Sequence, residues 1–201
     1  MPVNLDKPDL WKKDTLRSVD LYNDWFLEFA PQAFRAERLR AVEHVQTMLS
    51  KTQYLKNITT EVLREDPSIL FALRMSTAPP IARDRLIGLT DIPKSLVNGM
   101  ELRHRLPRYM NPSTLDAHFK KISKLITRLA DMDIFQWLEH GRAPKGEETT
   151  RAASIIADRL CGANADPIIR NAQEKRQFAL IKKWLESRKY QDVTGNASFD
   201  T

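Results

Sequence analysis

From Pro112 onward the apolar residues Leu115, Phe119, Ile122, Leu125, Ile126 and Leu129 recur at spacings of three and four, while Lys120, Lys121, Lys124 and Arg128 occupy the other sides. A helix turns once in about 3.6 residues, so this spacing gathers the apolar side chains into one stripe that must find a buried partner. The same period governs most of the chain. Trp11, Val19, Tyr22, Trp25, Phe26 and Phe29 form an aromatic-rich stripe, predicted to end at Pro31, and Phe34, Arg38, Val42, Val45 and Leu49 form a second. No stretch alternates with period two for long, and β-branched residues are scattered, so strands have almost no signal. The expected fold class is all-α or predominantly α, a multi-helix globular bundle.

Helix boundaries follow from local chemistry. Three pairs, Asp66-Pro67, Asn111-Pro112 and Asp166-Pro167, place a side-chain acceptor just before a proline. The acceptor can cap the free amides of a first turn, and proline suits the first helical position because it has no N–H to leave unpaired. Each pair therefore predicts a helix start. The twin segments DRLIG (84–88) and DRLCG (158–162) predict helix ends, with Gly88 and Gly162 as left-handed closing residues. Their surroundings differ, so they do not mark a repeat. Residues 133–141 predict a short helix capped by Asp133 and stopped at Gly141, and residues 141–148 a loop. A helical domain is expected over 1–190, with a sub-boundary near 107–112, and a frayed tail over 191–201, where the apolar period is lost.

Charge and cysteine usage narrow the class. The chain of 201 residues carries 32 Lys and Arg against 26 Asp and Glu, a net of +6, and the excess over residues 151–201 is +3. That balance suits a polyanionic partner. A single cysteine, Cys161, excludes an internal disulfide framework and fits the reducing cytoplasm. Neither a secretory leader nor a membrane-length apolar run is legible, so a soluble cytoplasmic protein is expected.

Catalytic patterns are sparse. The loop at 141–148 has Glu147 and Glu148 where a phosphate-binding loop needs Lys and Ser or Thr. His44, His104, His118 and His140 lie far apart without metal-ligand spacing. Cys161 sits in an apolar helical stretch and reads as core; Asp131, Asp133 and Glu139 form an acidic group that could bind a divalent cation, but Asp133 reads better as a helix cap and Glu139 as solvated charge. Asp-x-Lys and Glu-x-Lys, the carboxylate and lysine arrangement of many metal-dependent nucleases, occur nowhere. No catalytic or metal-ligating residue is assigned.

Two polar clusters remain. Arg170, Asn171, Lys175 and Arg176 fall within about two helical turns, with Gln173, Glu174 and Gln177 among them. Arg74, Arg83 and Arg85 surround the Pro79-Pro80 corner. Arginine and lysine contact phosphates, while Asn, Gln and Arg also reach base edges. The candidate DNA-binding residues are Arg83, Arg85, Arg170, Asn171, Lys175 and Arg176.

Several long runs carry a family resemblance: VNLDKPDLWKKD, SVDLYNDWFLEFAP, LRMSTAPPIARDRLIGL and ADRLCGANADPIIRNAQEKRQ. In order, from about Val3 to about Tyr190, they resemble restriction endonucleases of the XamI type. The resemblance implies a type II enzyme that hydrolyses double-stranded DNA at a short palindromic site with Mg2+, acting as a homodimer beside a separately encoded methyltransferase. It further implies a nuclease core bearing Asp and Glu-x-Lys. No residue here matches that motif, so this chain is expected to be a truncated, helical portion that supports DNA binding and assembly. The alternatives are a non-enzymatic helical DNA-binding module and a helical interaction protein without a nucleic-acid role.

Overall fold

The computed structural model describes residues 7–190. The expected tail at 191–201 lies outside the described residues. Along the chain run α1 (Pro8–Lys51), α2 (Thr60–Glu65), a 3-10 turn (Pro67–Ile69), α3 (Leu70–Met75), α4 (Arg83–Thr90), α5 (Lys94–Arg103), α6 (Pro112–Leu129), α7 (Gln136–Glu139) and α8 (Gly146–Ser187). Among the described residues no strand forms, and one isolated bridge joins Thr77 to Ala130. The fold is all-α, as the periodicity predicts.

The contacts divide the chain into two units, one of Met1–Ala33 with Asn164–Thr201 and one of Phe34–Ala163. The larger unit holds the hydrophobic core. Leu115, Phe119, Ile122 and Ile126 on the α6 stripe are buried against Val45, Met48, Leu63, Leu73, Leu96, Trp137 and Ile156, among others. The α6 lysines and Arg128 are exposed, so the amphipathic reading holds on both faces. Burying side chains of this size stabilises by about 1.5–3 kcal/mol each relative to exposure. Trp137 is fully buried, and its indole N–H donates to the Tyr54 carbonyl at 2.9 Å, so its one polar atom is satisfied.

Caps in this unit follow the predicted chemistry at two of the three Asx-Pro pairs. The Asn111 side chain accepts from the Thr114 N–H, with Pro112 opening α6, and Asp66 accepts from the Ser68 N–H at the 3-10 turn. Gly141 takes φ +61 just beyond α7, as expected of a stop. Asp133, by contrast, does not cap α7, which begins after Phe135 without a side-chain cap.

The smaller unit is built on aromatic contacts. Trp25 and Phe29 stack with ring centroids 5.1 Å apart, and Tyr22 lies 5.9 Å from Trp25 and 6.0 Å from Phe26. Tyr22, Trp25 and Phe29 are half-buried, whereas Trp11, Val19 and Phe26 of the same predicted stripe are exposed.

Four predicted boundaries are overturned. Pro31 lies inside α1, and Pro167 lies inside α8, so Asp166-Pro167 opens no new helix. Proline removes one helical hydrogen bond and crowds the carbonyl four residues earlier. Here those earlier residues, Leu27 and Ala163, are exposed, so water can serve the displaced carbonyls and the helix continues. Gly88 and Gly162 also lie inside helices; α4 closes on Asp91, whose φ of 48° supplies the left-handed residue. A Cβ at Gly162 would meet no atom within 4 Å. Gly162→Ala should therefore raise stability by up to about 1 kcal/mol, since glycine costs about that much in an exposed helix interior. Urea unfolding checks this, and a loss of stability would restore Gly162 as a left-handed helix end.

Candidate nucleic-acid interface

The arginine-rich corner predicted around Pro79-Pro80 turns inward at its centre. Arg74 on α3 is buried, its Nε and Nη2 donating to the two oxygens of Glu101 at 2.5 and 2.8 Å, and its Nη1 to the Ile81 carbonyl. Its guanidinium also lies 5.0 Å from the Phe71 ring centroid. Arg83, the first residue of α4, donates from Nε to the same Glu101 at 3.2 Å and from Nη1 to Asn98 at 3.4 Å. One buried carboxylate thus holds two arginines. Arg83 is committed to it, while Arg85 is exposed and has no ion-pair partner among the described residues.

A second arginine fastens the segment before the corner. Arg159 on α8 donates to the Met75 carbonyl at 2.8 Å, the Thr77 carbonyl at 3.3 Å and the buried Asp131 carboxylate at 2.9 Å. The Asp131 N–H donates to the Ser76 carbonyl and the Ala78 N–H to the Leu129 carbonyl, and the Ala78–Pro79 peptide is cis. Asp131 is therefore an anchor for this segment.

The second predicted cluster lies on the distal part of α8. Arg170, Asn171 and Lys175 are exposed, and Asn171 and Lys175, four apart, share a face. Arg176 differs. Its guanidinium sits 5.6 Å from the Trp25 centroid and donates to the Leu21 carbonyl at 3.3 Å, so it packs the smaller unit.

A third basic site is absent from the sequence expectations. Arg103, Arg105 and Arg108 line a cleft of about 310 Å³ together with Ser95, Gly99 and Tyr109. All three arginines are exposed. The signal was available: residues 102–128 hold seven Lys and Arg and a single acidic residue, Asp116.

Acidic chemistry is scarce. Among the described residues no group of three or more His, Cys, Asp or Glu side chains could hold a metal ion. Glu101 and Asp131 are tied to arginines, and Asp133 and Glu139 are exposed apart from them. Among the described residues these side chains form no set that fits the Mg2+ a restriction nuclease implies. Cys161 is buried, its Sγ 3.7 Å from the Phe34 carbonyl, and burial pushes its thiol above the ordinary value. No helix among the described residues is long and apolar enough to cross a membrane.

With this geometry in view, comparison identifies the class. The sequence model of the XamI restriction endonuclease family matches residues 53–201, and the chain belongs to that family. It is 47% identical over 196 residues to the type II restriction enzyme SalI of Streptomyces albus G, covering 98% of this chain and 62% of that relative. No solved structure matches.

The rejected phosphate loop has a structural use. Glu148 accepts from Arg142 Nη1 and Nη2 at 2.8 and 2.5 Å and from the Lys145 N–H at 2.8 Å, closing the entry to α8. The Arg142 hydrogen bonds hold its carboxyl down at about 2 from the ordinary 4.5. A depressed carboxyl pKa stabilises the fold fully above the unfolded value and loses that contribution as pH falls through the folded one. Between pH 4.5 and about 2 the wild type should therefore lose stability more steeply than Glu148→Gln, as acid-titrated unfolding would measure. Parallel profiles would remove Glu148 from the account.

Proposed function

We propose that this chain acts as a type II restriction endonuclease, hydrolysing double-stranded DNA at a short palindromic site. The observation that carries the reading is the 47% identity to a type II restriction enzyme over 98% of this chain. The described residues contribute the helical, DNA-binding part. Arg85, Arg170, Asn171 and Lys175 are exposed, and none of the three cations is matched by a carboxylate ion pair among the described residues. Exposed cations of this kind neutralise phosphates, and an exposed Asn can reach a base edge. Arg83 and Arg176 are instead held within the protein, one by Glu101 and the other against Trp25.

A palindromic site calls for two-fold protein symmetry, so the working form is a homodimer, with a separately encoded methyltransferase protecting the host site. Hydrolysis by enzymes of this class uses Mg2+. Selection from a random duplex library by the purified chain should enrich one short palindrome. Recovery of an unchanged library would overturn the reading.

A second reading is a DNA-binding module without nuclease activity. Incubating the chain with Mg2+ and plasmid separates the two. Discrete fragments support the endonuclease, and selective binding with intact plasmid supports the module.

A further inference from the structure

We infer that the cleft formed by Ser95, Gly99, Arg103, Arg105, Arg108 and Tyr109 is a phosphate-binding site for the backbone of duplex DNA, an inference that rests on the DNA-directed function proposed above. The site is built rather than accidental. Helix α5 ends at Arg103, and His104 turns the chain with φ 50°. The N–H groups of His104 and Arg105 both bond to the Gly99 carbonyl, the second at 3.0 Å. That turn requires glycine at position 99, because a Cβ there would lie 2.9 Å from the Arg105 carbonyl oxygen. Across the cleft the Ser95 and Tyr109 hydroxyls are 2.6 Å apart, joining the first turn of α5 to the returning loop. Three arginines are thereby held around one concavity of about 310 Å³.

Their electrostatic state points to an anion. Arg38, Arg64, Arg74, Arg83, Arg142 and Arg159 each have a carboxylate partner, whereas Arg103, Arg105 and Arg108 have none among the described residues. Glu101, the acidic residue nearest in sequence, is buried and already occupied by Arg74 and Arg83. Like charges gathered without a counter-charge repel one another, so binding an anion among them would be favourable. Guanidinium forks match the paired oxygens of a phosphodiester, and a tyrosine hydroxyl adds a further donor.

The test uses a fluorescein-labelled duplex and anisotropy across about 50–200 mM salt, the range over which phosphate contacts change affinity strongly. For wild type, log K should fall steeply with log salt. The triple variant R103Q/R105Q/R108Q should bind more weakly, with the slope reduced by about 2 to 3, at close to one unit per phosphate lost. The lysine triple R103K/R105K/R108K should restore most of the slope, because the point charges remain, and unchanged melting of both variants verifies folding. A glutamine triple that keeps the wild-type slope and affinity overturns this inference and leaves the proposed function standing. Wild type that binds no duplex at the lowest salt overturns both.

Discussion

One carboxylate organises the basic half of the larger unit. Glu101, on α5, takes the Nε and Nη2 donors of Arg74 and the Nε donor of Arg83, and so ties α3 and α4 to the helix between them and the exposed loop. Two cations and one anion leave this group with a surplus positive charge, and Arg74 sits within it almost without solvent. Such a group adds little net stability over an apolar packing of equal volume. Removing one member is a different matter, because the remaining buried charge then has no partner. The Arg74 donation to the Ile81 carbonyl and the Arg159 donations to Met75 and Thr77 carry the same logic to the Pro79-Pro80 corner.

The consequence for function is a division of labour among the basic residues. Arginines paired to Glu101, Asp131, Glu148, Asp116 and Asp158 hold helices together. Those outside such pairs, at the α5 exit and on the distal part of α8, remain available to an anionic ligand. A net charge of +6 therefore understates how concentrated the available positive charge is at the α5 exit. In the proposed endonuclease, this surface positions duplex DNA.

Much of the fold was legible because helical periodicity and capping act locally. The α6 stripe and the caps at Asn111 and Asp66 follow from residue spacing and side-chain acceptors alone. The prolines misled for an equally physical reason: local sequence predicts a lost hydrogen bond but not whether solvent can satisfy the freed carbonyl, which depends on exposure at Leu27 and Ala163. For the site, sequence offered arginines as candidates and could not sort them. Arg83 and Arg85 are two residues apart, yet one turns to a carboxylate 18 residues away and the other faces solvent. Long-range pairing of that kind has no period to read. The family resemblance, carried by ordered runs rather than by any catalytic motif, agrees with the family match over residues 53–201.

The account depends most on Glu101 as the anionic tie between Arg74 and Arg83, and one substitution tests it with almost no change in volume. Equilibrium urea unfolding of Glu101→Gln should show a loss of about 3 kcal/mol against wild type, the scale expected when a buried ion pair loses one partner. Stability within about 0.5 kcal/mol of wild type, the ordinary range for an unimportant surface change, would contradict it.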